Sequence, residues 1–356
     1  MKKKNDFIKR SIFEKLIFYF FAQSNSLQYL LFDLEKIFLK KKNNHKNCLF
    51  ITGLPRSGTT IFLKTLYETE IFASPTYQDL PFVLSPKIWS KLKLVNKLNF
   101  IKKKNKKFER FHNDGINIDQ NSPDAFEEIF WKIILEEKYI KEKCIVKHTL
   151  SKKNILEFKY YISIIKEYTS KDYYISKNNN NIFRIESLHK YFPSENFIIM
   201  FRHPYHQSMS LMKMDNKFSN ISTFDKYYLN FVGHYEFGDN YKSFYEKEKK
   251  IKNRNFEFWL DVWIKVYSEL MSIDLEKNVS FLSYEILTDE VKNKKIINRI
   301  VNKNYIEKFK FENLRNKNNE EDFKNFYSHI QKTNYSEKFN IALKIYNKLL
   351  DRQNVC

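Results

Sequence analysis

The chain has 356 residues, with 63 Lys and Arg against 42 Asp and Glu, a formal charge of +21, and 42% hydrophobic and 17% aromatic residues. This balance excludes a disordered tail and a collagen-like rod, while five glycines and seven prolines argue against a turn-dense β-barrel. Cys48, Cys144 and Cys356 offer neither a disulfide framework nor a CxxC zinc site, which points to a reducing, cytoplasmic compartment.

The N-terminus opens Met1-Lys2-Lys3-Lys4, but the short apolar run Leu16 to Ala22 follows Glu14 and Lys15 and makes a poor signal peptide. No stretch reaches the ~18 uncharged apolar residues that a spanning helix needs. Ile12, Leu16 and Phe20, then Leu30, Leu34 and Phe38, recur at helical spacing. They predict amphipathic helices packing on the core, as an N-terminal helical extension over 1–46 ahead of one main domain over 47–356. A membrane-surface role is the lesser alternative, resting on the basic flank alone.

Cys48 to Thr52 is a short apolar run ending in Gly53-Leu54-Pro55-Arg56-Ser57-Gly58-Thr59-Thr60, with Ile61, Leu63 and Leu66 following at helical spacing. That pattern reads as strand, tight loop and helix. Residues 87–110 hold ten Lys and Arg against the single acid Glu109: a solvated basic helix, or a rim that collects an acidic acceptor. Further buried strands are predicted at Asp172 to Ser176, Phe197 to Phe201 and Val279 to Leu282, so the fold class is α/β, with parallel strands and crossover helices. Asn178 to Asn181 reads as a solvated loop, and the stripe Phe256, Trp259, Leu260, Trp263, Val266, Tyr267, Leu270 as helical core packing. There is no zinc-finger spacing and no aromatic RNA-binding pattern, so a dedicated nucleic-acid module is disfavoured.

Gly53 and Gly58 stand where a phosphate-cradling loop places its glycines, at the N-terminus of a helix that favours anions. A nucleoside triphosphatase needs Lys after the second glycine; here Thr59 occupies that position and the cation sits upstream at Arg56. The run Pro55-Arg56-Ser57-Gly58-Thr59-Thr60 resembles the loop of sulfotransferases that holds the 5′-phosphosulfate of 3′-phosphoadenosine 5′-phosphosulfate (PAPS). The run Phe197 to Phe201 leading into Arg202, with Ser210 eight residues later, is similar to that family's 3′-phosphate site. Ile175-Ser176-Lys177, with Phe192-Pro193 beyond, looks like the lysine segment of tyrosylprotein sulfotransferases, although Asn178-Asn179 replaces their Asp-Pro.

The resemblance covers roughly residues 47–290 and implies a P-loop-like three-layer α/β/α fold with a central, mostly parallel sheet. Helical insertions at about 71–160 and 215–255 would wall an acceptor cleft. It implies PAPS as cosubstrate, no metal, and sulfuryl transfer to a hydroxyl of a carbohydrate, lipid or other small acceptor; the basic segment permits an acidic acceptor without requiring one. Arg56 and Lys177 would stabilise charge on the transferring group, with Pro55, Ser57, Gly58, Thr59 and Thr60 on the phosphosulfate and Tyr284 supporting the adenosine side.

In the tyrosylprotein branch the base is a Glu shortly after the first helix, which makes Asp79 the first choice here. A helix-capping role explains Asp79 equally well. Glu127 and Glu128 are runners-up that suit a helix's first turn, and His148 is a weaker candidate. His234 lies in Gly233 to Gly238, a constrained turn or an acceptor-site loop. Competing readings are a P-loop kinase, disfavoured by the missing lysine, and a non-catalytic basic protein binding anionic polymers.

Overall fold

The computed structural model describes residues 12–40, 44–92, 107–110, 115–244, 254–274, 278–289, 318–330 and 336–355. Most of the basic segment 87–110, and Cys356, lie outside the described residues. The strands are β1 Cys48–Thr52, β2 Phe72–Ala73, β3 Phe108–Glu109, β4 Asn117–Ile118, β5 Tyr173–Lys177, β6 Asn196–Phe201 and β7 Val279–Ser283. Five of them form one parallel sheet in the order β2-β5-β1-β6-β7, while β3 and β4 pair as a short antiparallel hairpin.

Four of the five sheet strands fall where the apolar runs predict them, because strands covered on both faces need apolar side chains on both. The two-residue edge strand β2 and the hairpin carry no such run. Leu49 and Ile51 of β1 turn to one face and pack with Phe62, Leu63 and Leu66 of helix α3 (Thr59–Tyr67). Phe50 turns to the other, against Phe158 of the Lys152–Thr169 helix, Phe192 and Phe197. With helices on both faces, the architecture is a three-layer α/β/α sandwich. The predicted stripe lies on the Phe256–Ser272 helix, where Trp259, Leu260, Trp263, Val266, Tyr267 and Leu270 are all buried.

The N-terminal helices α1 (Ile12–Gln23) and α2 (Asn25–Ile37) form as expected but turn the other face inward. Phe18, Ala22, Phe32 and Leu39 are buried; Leu16, Phe20, Leu30, Leu34 and Phe38, read from the sequence as core residues, are exposed. Two contacts set this orientation. Phe18 meets Phe224 and Phe231 of the Thr223–Phe231 helix at 6.1 and 5.1 Å. Glu35 turns inward, where its carboxylate caps the Pro86–Lys91 helix by accepting from the amides of Lys87 (2.9 Å) and Ile88 (3.0 Å).

Asn178 to Asn181 is not a solvated loop: all four residues are buried. Asn178 Nδ2 donates to Glu128 Oε2 at 2.7 Å, Asn180 Nδ2 to Gly233 O at 3.3 Å and Asn181 Nδ2 to Ser176 Oγ at 3.4 Å. Four amides in succession supply the hydrogen bonds that a buried, irregular backbone requires.

β1 ends against β6 at Gly53, which has φ +143° and where an added Cβ would stand 2.2 Å from Met200 O. Gly53→Ala is expected to cost on the order of 2–4 kcal/mol through clash and backbone strain. A urea unfolding midpoint close to that of the wild type would contradict this account of the strand junction.

Candidate active site

The loops after β1, β5 and β6 meet at the carboxyl edge of the sheet. Chain excursions leave β1 in both directions there, and an open α/β sheet has its crevice at such a point. Gly58 (φ +94°) caps α3, and the ring of Tyr284 lies so close that a Cβ on Gly58 would stand 2.6 Å from it. Thr59 and Thr60 open α3, whose first amides have no intrahelical acceptor, an arrangement that favours an anion by helix geometry.

Arg56 adopts φ +71° and donates from Nε to Ser210 Oγ at 3.0 Å. Arg202 leaves the end of β6 with its guanidinium 4.5 Å from the centre of the Tyr284 ring, and donates from Nε (2.9 Å) and Nη2 (2.6 Å) to Asn318 Oδ1. Burial pulls the Arg202 pKa down; Tyr284 and Glu285 oppose that, and Arg56 adds to it. The sequence-predicted residues Arg56, Arg202, Ser210, Gly58 and Tyr284 are thus brought together.

Gln207, fully buried, joins the two motifs. Its Nε2 donates to Leu54 O and Pro55 O, both at 3.0 Å, while its Oε1 accepts from Trp263 Nε1 at 2.9 Å and from the amide of Arg202 at 3.2 Å. Tyr267 adds a bond to Met200 O at 2.9 Å. The predicted core stripe therefore also fixes the loop, a role that apolar spacing cannot show.

Lys177 ends β5, is buried, and faces Asp124 at 4.0 Å. The other oxygen of Asp124 accepts from Tyr77 OH at 3.0 Å and lies 3.8 Å from Arg110. Burial is the largest single influence on Asp124 and pushes its pKa up, but Lys177, Arg110, His234 and a bond from the Ala125 amide together outweigh it and hold the pKa below the ordinary value. Burial pulls the Lys177 pKa down most; Asp124 opposes it, Arg110 lowers it further, Glu236 opposes and Arg56 lowers. Thr59 Oγ1 donates to Asn179 Oδ1 at 3.3 Å, and Asn179 Nδ2 to Glu236 Oε1 at 3.4 Å, linking the start of α3 to the Gly233–Gly238 turn.

That turn is constrained. Gly233 has φ +76°, and a Cβ there would stand 2.4 Å from Glu128 Cγ. So His234 and Glu236 are held beside Asp124 and Lys177.

The other sequence-predicted bases have structural partners. Asp79 closes a capping box, accepting from the Thr76 amide at 2.7 Å and hydroxyl at 2.8 Å. Its electrostatic neighbours are Glu35, Tyr67, Tyr161 and Tyr168, away from those of Lys177. Glu127 accepts from Trp131 Nε1 (2.9 Å) and Tyr174 OH (2.8 Å). Glu128 accepts from Arg184 Nη2 at 2.9 Å on both oxygens, from Tyr139 and from Asn178. His148 pairs Nδ1 with Val146 O at 2.9 Å and packs on Tyr139, and burial with Arg184 nearby depresses it to about 4.

The sequence reading missed Arg110, Asp124, Gln207, Glu236 and Asn318. Asp124 had a signal, since Ser122-Pro123-Asp124 interrupts the approach to a helix; the others are single polar residues whose roles depend on tertiary contact. Among the described residues no cluster of His, Cys, Asp or Glu could hold a metal ion, and no helix is long and apolar enough to cross a membrane.

A family model described as the sulfotransferase family matches residues 48–280, and the chain belongs to that family. The solved structure of sulfotransferase STF1 from Mycobacterium tuberculosis H37Rv is similar at 11% identity and a TM-score of 0.46, over 82% of this chain and 77% of that one. No curated protein matches the chain in sequence.

Burial raises the pKa of Asp79 to about 6 despite the bonds from Thr76. The native state therefore binds this proton more tightly than the unfolded chain. Its contribution to stability is fully present below pH ~4 and is lost as pH rises through about 6. Asp79→Asn is expected to gain about 3 kcal/mol relative to wild type between pH 4 and pH 7. Urea denaturation at both pH values checks this, and a pH-independent difference would refute it.

Proposed function

We propose that this chain transfers a sulfuryl group from PAPS to a hydroxyl acceptor. The observation that carries the reading is the convergence of Arg56, Ser210 and Arg202 from loops after two adjacent parallel strands. Two guanidiniums and a hydroxyl at one point suit a phosphate. The open amides at the start of α3, with Thr59 and Thr60, suit the neighbouring phosphosulfate.

In this mechanism Arg202 and Ser210 hold the 3′-phosphate, and Tyr284 lies under the nucleotide side. The acceptor oxygen forms a bond to sulfur as the bond from sulfur to the phosphate oxygen breaks, and the acceptor's proton leaves to a base. Lys177 and Arg56 stabilise the charge that builds on the sulfuryl and bridging oxygens. His234 takes the proton, with Asp124 beside it to stabilise the imidazolium that forms. Asp79 is not given that role, because its carboxylate is turned to Thr76. The acceptor approaches over Arg110, Asp124, His234 and Glu236, which come from the two segments expected to wall the cleft.

Calorimetric titration with 3′-phosphoadenosine 5′-phosphate is expected to give micromolar binding that weakens at least ~100-fold in Arg202→Ala, in line with the loss of a charge-assisted phosphate contact. Magnesium-ATP should bind more weakly. Absent binding of the adenosine bisphosphate, or a preference for ATP, would replace this reading with a kinase or a basic anion-binding protein.

Asp124 supports the charge on Lys177, so Asp124→Asn should let Lys177 deprotonate at lower pH. The alkaline limb of the pH profile for sulfuryl transfer, to an acceptor or to water, is expected to move to lower pH. Nucleotide binding should be unchanged. An unmoved limb in a variant that still binds the nucleotide would remove Asp124 from this role.

A further inference from the structure

The outward faces of α1 and α2 are apolar. Leu16 (61% exposed) and Phe20 (73%) stand one turn apart on α1, and Leu30 (55%), Leu34 (39%), Ile37 (70%) and Phe38 (65%) run at i, i+4, i+7 and i+8 along α2 and its cap. Neither helix can turn these residues inward. α1 is pinned by Phe18 on Phe224 and Phe231 and by Tyr19 stacked on Tyr227 at 4.0 Å, while α2 is pinned by Phe32 and by Glu35 on the Pro86–Lys91 helix. An exposed apolar run of this size is uncommon on a surface that meets water alone.

Charge indicates what covers it. The sequence places Lys2, Lys3, Lys4, Lys9 and Arg10 before α1 against the single acid Asp6, and Lys40, Lys41 and Lys42 just beyond Phe38 and Leu39. On α2, Lys36 is shared at 2.6 Å between Asp33 and Glu157, and the inward Glu35 is buried, so Asp33 is the one acid of its own helix beside the outward apolar stripe, and the flanking cations outnumber it. Exposed apolar side chains flanked in sequence by an excess of cations match a bilayer surface with anionic headgroups, where the hydrocarbon side chains enter the acyl boundary.

We propose that the outward face of α1 and α2 docks the protein on anionic lipid membranes as a peripheral, interfacial contact. This is independent of the sulfuryl-transfer reading, since none of these residues belongs to the candidate active site.

The test is co-sedimentation of the full chain with vesicles of phosphatidylcholine and phosphatidylserine at a 7:3 ratio, against pure phosphatidylcholine vesicles. Two variants, Leu16→Ser with Phe20→Ser and Leu34→Ser with Ile37→Ser, change exposed residues only, and circular dichroism confirms their fold. Binding to the mixed vesicles is expected, at least tenfold weaker on pure phosphatidylcholine and at least tenfold weaker in either variant. No binding to the mixed vesicles overturns the proposal. Equal binding by the variants overturns it in favour of charge alone. A dimer in sedimentation that both variants dissolve, with no vesicle binding, assigns the face to a second copy of the chain instead.

Discussion

The site depends on how two neighbouring parallel strands are locked at their carboxyl ends. β1 and β6 run in register, with Ile51 beside Ile198 and Thr52 beside Ile199. Beyond them, Gln207 holds the carbonyls of Leu54 and Pro55. A trans peptide points its N–H opposite to its C=O. Holding the Pro55 carbonyl inward therefore turns the Arg56 amide outward, to the side where an anion would lie. Because Trp263 and the Arg202 amide occupy the other end of the same side chain, the loop and the Arg202 strand end cannot shift independently. A buried amide with both ends bonded gives rigidity that apolar packing alone would not.

The same edge of the sheet gathers cations under partial burial. Lys177, Arg110 and Arg202 are all buried, and Arg56 repels both Lys177 and Arg202. Burying several like charges is unfavourable unless anions balance them. Asp124, Glu236 and Glu285 provide part of that balance, and the shortfall favours an anionic ligand. The family assignment and the electrostatics thus agree, although they rest on different observations: one on sequence motifs, the other on where tertiary structure puts Arg110 and Asp124.

What could be read from the sequence follows from the range of the forces involved. The parallel strands and the two motifs that resemble the family's are local: an apolar run makes a buried strand, and a loop's glycines, arginine and threonines sit within eight residues. The N-terminal helices were misread because α1 and α2 carry apolar residues on both faces. Periodicity identifies such helices as amphipathic but cannot say which face a distant aromatic cluster, here Phe224 and Phe231, will claim. The asparagine tract was misread for a related reason. An amide suits water and a buried polar network equally, and only Glu128, Gly233 and Ser176, one of them 50 or more residues away on each side, decide between them.

The donors around each carboxylate distinguish the acids more sharply than their spacing from the Gly53–Thr60 loop does. Glu128 has both oxygens taken by Arg184, with Tyr139 and Asn178 in addition, and Glu127 is held by Trp131 and Tyr174. Protonating or moving either would strand buried donors, a cost that suits a scaffold and not a group that must exchange protons. Asp79 takes both Thr76 bonds on one oxygen and has its electrostatic neighbours away from those of Lys177. Asp124 also has donors, Tyr77 OH at 3.0 Å and the Ala125 amide at 2.8 Å, but the charges facing it are Lys177, at the end of β5, with Arg110 and His234. Its position is therefore fixed by the same contacts that would tune a reaction there, whereas the other three acids fix the chain around it.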